Sequence, residues 1–179
     1  MDLNELLALA EDAAKKANAA IMQNYDKFDV FVKADKSPLT NADLAANDAI
    51  TRTLEPSGIA ICSEECVLDS KQRISEERFW LIDPLDGTKE FIARNGEFCV
   101  CIALIEDGRP VLGVIYVPVT GEIYSAAKGG RTQKELYKNG AFIPQTLAAK
   151  EHAPQTIISG KRGKNVTAGK LASALNLDI

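Results

Sequence analysis

Two aspartates, a glycine and a threonine form the motif of this sequence that most clearly indicates chemistry, Asp83-Pro84-Leu85-Asp86-Gly87-Thr88. Pro84 stiffens the turn between the two carboxylates, so that both can converge on one hard cation such as Mg²⁺, which takes oxygen ligands. Gly87 and Thr88 then open a short predicted helix, whose first backbone N–H groups can bind a phosphate. The motif therefore indicates a metal site beside an anion site.

The same motif has a purely structural alternative, because an Asx turn followed by a helix cap uses the same residue types. The neighbouring acids favour the metal site. Glu64 and Glu65 follow a predicted buried strand over residues 58–62, and Asp83 follows another over residues 79–82. If these strands are neighbours in one sheet, like charges crowd at its edge, which is costly unless a cation neutralises them.

Two helices are predicted before these strands. Apolar residues recur at three- and four-residue spacing over residues 3–24, which predicts an amphipathic helix. An extended piece over residues 30–33 and a break over residues 36–40 follow. Thr40 or Asn41 is expected to cap a second helix that runs to about residue 55. Asp43 then lies in its first turn, where the helix dipole alone favours a carboxylate.

The rest of the chain predicts a β-meander. Apolar runs over residues 98–105 and 111–117 flank a turn and indicate a hairpin. A strand over residues 122–126 and a turn at residues 138–140 extend it. These elements give an α+β domain over residues 1–147, with helices packed on an antiparallel sheet. Residues 148–179 are expected to begin a second α/β domain, with a strand at 156–159 and a helix at 167–177.

Composition and charge exclude several classes of protein. The 179 residues are 46% hydrophobic and 26% charged, which is typical of a folded globular chain. The net charge of −4 argues against a general nucleic-acid binder. Residues 1–125 carry 12 basic and 22 acidic groups, and residues 126–179 carry 9 basic and 3 acidic groups, which suits a metal cage facing an anionic substrate. Neither a secretory signal nor an apolar run of membrane-spanning length is found, so a cytoplasmic protein is expected.

The cysteines and the single histidine are not assigned to the chemistry. Cys62, Cys66, Cys99 and Cys101 are expected to be reduced and buried, since the paired C-x2-C spacing of zinc sites is absent. Cys99 and Cys101 would share one face of a strand. His152 lies in a loop-like stretch and is expected at the surface, which disfavours a histidine base or a histidine-rich metal site.

Three groups of residues together resemble the lithium-sensitive, magnesium-dependent phosphatase superfamily of inositol monophosphatase. They are Lys33-x-Asp35-x-Ser37-Pro38-x-Thr40-x-x-Asp43, Ser63-Glu64-Glu65 and the run from Trp80 to Phe91. The likeness extends over nearly the whole chain and implies the layered α/β sandwich of the inositol monophosphatase and fructose-1,6-bisphosphatase type. Lys89-Glu90-Phe91-Ile92 and Asn95-Gly96-Glu97-Phe98 are closer to 3′(2′),5′-bisphosphate nucleotidases of the CysQ type.

The resemblance implies a set of metal ligands. Glu64, Asp83 and the backbone carbonyl of Leu85 would hold a first Mg²⁺, and Asp83 and Asp86 would contribute to a second. Glu65 would support this site without binding the metal itself.

The resemblance also implies roles in catalysis and phosphate binding. Asp43 and Thr88 would orient the attacking water, together with Glu64 through the metal. The backbone amides of Gly87 and Thr88 would bind the phosphate beside Glu64. Lys33 would approach that phosphate, although a solvated lysine is the alternative interpretation of this residue.

The implied reaction is Mg²⁺-dependent, in-line attack of water on a phosphomonoester, without a covalent intermediate. The substrate would be adenosine 3′,5′-bisphosphate, converted to AMP and phosphate, which clears a by-product of sulfate assimilation. Two alternatives stay open. The chain is an inositol monophosphatase-like enzyme with another substrate, or it is a truncated, non-catalytic remnant of the family that binds a metal.

The sequence departs from the family pattern at its end. Members of the superfamily have a second domain with a Trp-Asp motif, whose aspartate completes the second metal site. Here Trp80 is the only tryptophan, and only Asp107 and Asp178 follow Asp86 among the aspartates. We therefore expect a chain truncated before that motif, and self-association through apolar residues of the incomplete second domain, such as Ile157.

Overall fold

Helices pack against one face of a mixed β-sheet in the computed structural model, which describes residues 1–66 and 77–147. Met1–Leu147 groups as one compact unit. The helices are α1 (Leu3–Gln23), α2 (Asn41–Leu54) and α3 (Thr88–Ile92), and a 3₁₀ turn occupies Glu55–Ser57. The strands are β1 (Val30–Val32), β2 (Pro38–Thr40), β3 (Ala60–Ser63), β4 (Arg78–Asp86), β5 (Cys99–Glu106), β6 (Arg109–Val117), β7 (Glu122–Ala127), β8 (Gln133–Lys138) and β9 (Ala141–Gln145).

Both long helices begin at capping boxes. The Asp2 carboxylate accepts hydrogen bonds from the backbone N–H groups of Asn4 and Glu5, and the Glu5 carboxylate accepts one from the Asp2 N–H. Thr40 and Asp43 make the equivalent exchange at the start of α2. The predicted bounds of both helices are confirmed, since the apolar periodicity and the cap residues act locally.

Strands β3 to β9 form one seven-stranded sheet in chain order. The pairs are antiparallel, as predicted, except that β3 and β4 run parallel. The break expected over residues 36–40 is wrong in part, because Pro38–Thr40 pair with Val30–Val32 as a separate hairpin. Lys36 turns this hairpin with a φ of 70°. Pro38 is tolerated because β2 has only one strand partner, so a missing N–H is not lost from a central strand.

The two faces of the seven-stranded sheet differ in burial. The face under α1 and α2 holds fully buried side chains, among them Trp80, Leu104 and Tyr116. Trp80 also donates its indole N–H to the Ser57 hydroxyl at 3.1 Å. On the opposite face, Leu81 and Ile115 are 44% and 46% exposed. The acidic motif at the end of β4 reaches this second face.

Some sequence predictions lie outside the described residues. These are the second domain over residues 148–179, its strand at 156–159, its helix at 167–177, and the placement of His152. Among the described residues, none of the helices combines the length and the apolar character of a membrane span.

Candidate metal centre and active site

A β-bulge in β4 brings Asp83 and Asp86 to the same face of the sheet. Asp83 lies opposite Cys101, and Asp86 lies opposite Cys99, so that three steps along β4 match two steps along β5. Residues three apart in a regular strand point to opposite faces, and the extra residue of a bulge reverses this. The Asp83 carboxylate also accepts a hydrogen bond from the Leu85 N–H at 3.2 Å, which stabilises the irregular turn.

Glu64 joins these aspartates because β3 and β4 are parallel neighbours. Ser63 pairs with Ile82, and the Glu64 N–H donates to the Ile82 carbonyl at 3.1 Å, immediately before Asp83. The end of β3 therefore meets β4 just before its bulge, next to Asp83. This confirms the conditional prediction that the acids at the ends of these strands come together.

The acidic cluster of Glu64, Asp83 and Asp86 is electrostatically costly on its own. Burial, the charge and hydrogen bond of Glu64, and the charge of Asp86 raise the pKa of Asp83 to about 7. Asp83 thus keeps its proton to a pH at which isolated carboxyls are ionised. Glu64 and Asp83 are in hydrogen-bond contact and Asp86 acts on Asp83 through its charge, and carboxylate oxygens are ligands that Mg²⁺ prefers. A divalent cation would replace the proton of Asp83 and offset the repulsion between these carboxylates.

Asp43 and Thr88 form a second, buried pair beside the acidic cluster. Asp43 is only 2% exposed, and its carboxylate accepts hydrogen bonds from the backbone N–H and the hydroxyl of Thr40. Its other oxygen accepts a hydrogen bond from the Thr88 hydroxyl at 3.0 Å. That hydroxyl also lies 3.4 Å from the Leu85 carbonyl. The structure therefore brings together two residues that are 45 positions apart in sequence.

Gly87 fixes the direction in which α3 leaves the cluster. It caps the helix in the left-handed region with a φ of 97°, and a Cβ there would lie 3.0 Å from the Glu97 carbonyl oxygen. Glycine is required for both reasons. Phe91 anchors the helix, since it is fully buried and its ring packs against the rings of Tyr25, Phe28 and Phe98. These contacts hold Thr88 in place from the core side.

Lys33 reaches the acidic cluster from the loop after β1. Its ammonium lies 3.0 Å from Glu64 and 2.8 Å from Glu65. Partial burial acts to lower the pKa of Lys33, but the hydrogen bonds to Glu65 and Glu64 raise it above its usual value. Glu65 is mostly buried and holds this lysine against the cluster. Lys33 therefore lies beside the acidic cluster, with its charge paired with two carboxylates.

Cys99 and Cys101 are the residues of this region that the sequence interpretation missed. Cys62 is buried as expected, but Cys66 is exposed and Cys99 and Cys101 are half-buried. The four thiols are free, as predicted. Cys99 and Cys101 hydrogen-bond to one another, which lowers the pKa of Cys99 and raises that of Cys101. The signal in the sequence was the C-x-C spacing on a strand, but its partner strand was not known.

The site stands at one end of an open cavity of about 730 Å³ on the exposed face of the sheet. Glu64, Asp83 and Cys101 line this end, and apolar side chains such as Leu81 and Ile115 line the remainder. The carboxylates are thus accessible from the side opposite the helices, where a small ligand can approach.

Comparisons with known proteins identify relatives of this chain in sequence and in fold. The 3′(2′),5′-bisphosphate nucleotidase CysQ of Shigella flexneri is 52% identical over 152 residues, which cover 78% of this chain and 61% of the relative. The enzyme of the same name from Escherichia coli O6:H1 is 47% identical over the same shares. The crystal structure of CysQ from Bacteroides thetaiotaomicron, a bacterial member of the inositol monophosphatase family, is 36% identical with a TM-score of 0.79. That match covers 97% of this chain and 69% of the other.

These matches confirm the predicted fold class, because the solved structure shares both sequence and architecture with the chain. The chain spans 61% of the length of the curated relatives named above. The model of the inositol monophosphatase family matches residues 2–173. With the acidic strand ends, the bulge and the Asp43–Thr88 pair in place, the chain belongs to the inositol monophosphatase family.

Proposed function

We propose that this chain forms the Mg²⁺- and phosphate-binding domain of a phosphomonoesterase of the 3′(2′),5′-bisphosphate nucleotidase type. Its substrate would be adenosine 3′,5′-bisphosphate, and its products AMP and phosphate. The observation that carries the proposal is the acidic cluster of Glu64, Asp83 and Asp86 beside the Asp43–Thr88 pair. The relatives that bear this activity in their names support the choice of substrate.

The proposal includes a set of metal ligands. Glu64, Asp83 and the Leu85 carbonyl would hold one Mg²⁺, and Asp83 and Asp86 would contribute to a second. When bound, Mg²⁺ supplies Lewis-acid stabilisation of the negative charge that develops on the phosphate oxygens. Residues 1–147 then act as the metal-binding domain, and residues 148–179 begin a second α/β domain. The proposed location is the cytoplasm.

Asp43 and Thr88 position the attacking water. The Thr88 hydroxyl donates a hydrogen bond to the Asp43 carboxylate. A lone pair of the hydroxyl oxygen is therefore left to accept a hydrogen bond from water. The water is thereby oriented with its own lone pair towards phosphorus. As the water attacks, its proton passes to Thr88 Oγ1 while the Thr88 proton passes to Asp43, which acts as general base. The bond between phosphorus and the 3′ oxygen of the nucleotide breaks, and that oxygen leaves with a proton taken from solvent.

The backbone amides of Gly87 and Thr88 donate hydrogen bonds to the phosphate in this arrangement, next to Glu64. Lys33, which pairs with Glu64 and Glu65, adds a positive charge on the same side. These donors hold the phosphorus in line with the oriented water, which is the main requirement of phosphoryl transfer.

The test is phosphate release from adenosine 3′,5′-bisphosphate and from inositol 1-phosphate, in Mg²⁺ with and without Li⁺. We expect Mg²⁺-dependent, Li⁺-inhibited release from the nucleotide. Thr88→Val should lower kcat by about 10²-fold, the lower range for general acid–base catalysis, with a small change in KM. Asp107→Asn, in the β5–β6 turn, is the matched control and should leave the rate unchanged.

Each other outcome selects among the alternatives. Preferred release from inositol 1-phosphate would indicate an inositol monophosphatase-like enzyme. Mg²⁺ binding without any release would identify a non-catalytic metal-binding domain. Release that needs no divalent cation, or that Asp83→Asn leaves unchanged, would overturn the proposal.

A further inference from the structure

Two cysteine sulfurs and a carboxylate converge beside the acidic cluster, at the start of β5. The Sγ atoms of Cys99 and Cys101 lie 3.6 Å apart, and Cys99 Sγ lies 4.0 Å from Asp86 Oδ2. One ligand atom from each of the three residues lies within 4.8 Å of the others. The bulge in β4 creates this arrangement, because it puts Asp86 directly opposite Cys99.

These distances match the needs of a tetrahedral thiolate site. Two Zn–S bonds of about 2.3 Å at a tetrahedral angle place their sulfurs about 3.8 Å apart, close to the separation observed between Cys99 and Cys101. Thiolates favour Zn²⁺ and similar soft cations, whereas Mg²⁺ requires oxygen donors. We propose that Cys99, Cys101 and Asp86 bind one thiophilic divalent cation, of the Zn²⁺ or Cd²⁺ type.

A disulfide between the two cysteines fits the backbone less well. Residues i and i+2 of an extended strand have Cα atoms about 6.7 Å apart, near the upper limit of about 6.8 Å for a disulfide. Their Cβ vectors also run side by side rather than towards each other. A bridging cation spans this gap without moving β5, and it needs only that the two thiol protons pass to solvent.

The site is open to an incoming ion. Asp86 is exposed, and Cys99 and Cys101 are half-buried on the sheet face opposite the helices. Three protein ligands leave a fourth tetrahedral position for water. This site is distinct in chemistry from the proposed oxygen-only Mg²⁺ site, although both use Asp86.

The experiment titrates the reduced 179-residue chain with Cd²⁺ and follows the near-ultraviolet thiolate-to-cadmium absorption band. We expect the band to saturate at one equivalent and to disappear in Cys99→Ser and in Cys101→Ser. Asp86→Asn should weaken Cd²⁺ binding by at least the roughly tenfold loss that removal of an outer partner causes at metal sites. The readout does not depend on phosphatase activity, so it is informative even if the proposed function is wrong.

The matched control carries Cys62→Ser and Cys66→Ser together, and so retains only the two cysteines of the proposed site. It should keep the full band. Loss of the band in this control, or its persistence in Cys99→Ser and Cys101→Ser, would overturn the site. Should those single variants fail to fold, zinc X-ray absorption on the control decides. Two sulfurs at about 2.3 Å support the site, and a shell of oxygen and nitrogen alone refutes it.

Discussion

The Asp43–Thr88 pair and the acidic cluster lie side by side, yet their carboxylates have different surroundings. Asp43 is buried and accepts hydrogen bonds from the Thr40 N–H, the Thr40 hydroxyl and the Thr88 hydroxyl. Asp83 faces Glu64 and Asp86 and is pushed towards its protonated form, with a pKa of about 7. Hydrogen bonds within the fold stabilise the Asp43 carboxylate, whereas burial and the neighbouring carboxylates disfavour the ionised form of Asp83.

The two regions contribute differently to the stability of the protein and to the proposed chemistry. A capping box and a cross-element hydrogen bond stabilise the protein whether or not a ligand is present. A cluster of like charges lowers the stability of the metal-free protein, and a cation removes that cost. Asp43 therefore serves both folding and the proposed chemistry, whereas Asp83 serves the proposed chemistry at the expense of folding.

The largest expected effect on stability comes from removing the buried carboxylate of Asp43. Asp43→Ala should lower the free energy of unfolding by about 3 kcal/mol, the upper range for hydrogen bonds to a charged group. Asp48→Ala is the control, since Asp48 is exposed on the same helix and pairs only with Arg52 among the ion pairs of the described residues. It should cost less than about 1 kcal/mol. Equal midpoints for the two variants in urea denaturation would contradict this view of Asp43.

The next largest effect is the stabilisation of the chain by Mg²⁺, which depends on Asp83. Mg²⁺ at 100 times its dissociation constant should stabilise the chain by about 2.7 kcal/mol through linkage. Asp83→Asn should abolish this gain, because it removes a charged ligand while keeping the oxygen that accepts from the Leu85 N–H. Thermal unfolding with Mg²⁺ and with EDTA measures both. Asp107→Asn is the control and should respond like the wild type, and a full Mg²⁺ response in Asp83→Asn would refute the ligand assignment.

The smallest effect is the pH dependence of the metal-free chain. The pKa of Asp83 is raised on folding, so its contribution to stability is present at low pH and is lost as pH rises through about 7. In EDTA, Asp83→Asn should therefore gain stability relative to the wild type between pH 5 and pH 8. The gain should be about 1 kcal/mol, since the carboxylate is partly solvated and screened. A difference in the free energy of unfolding between the two proteins that stays constant across this range would show that the pKa of Asp83 is not raised on folding.

Much of the fold follows from local patterns in the sequence. The two long helices, the cap of the second helix and the β5–β6 hairpin were predicted nearly residue by residue, because periodicity, capping and turn chemistry act over a few positions. The end of β4 was not predicted correctly. The sequence indicates a turn at Asp83-Pro84, but the strand continues to Asp86 through a bulge. A bulge depends on the register with a partner strand, which no local pattern encodes.

The candidate site divides in the same way. The acids, glycine and threonine that compose it were identified from residue types and from the family resemblance. Cys99 and Cys101 were not identified as candidate ligands, because a C-x-C pair on a strand becomes a candidate ligand set only when a carboxylate lies opposite it. Burial was the expected state for free cysteines, and the exposed face of the sheet made that expectation wrong for these two.

The sequence alone determined which groups are available, since the oxygen donors, the helix caps and the strand propensities are properties of neighbouring residues. Tertiary structure decided which of them meet. The parallel pairing of β3 with β4 brings Glu64 to Asp83, and the placement of α3 directly after the bulge brings Thr88 to Asp43 on α2. These contacts join residues 19 and 45 positions apart. Their distances are set by sheet register and core packing, which exist only once the whole domain has folded.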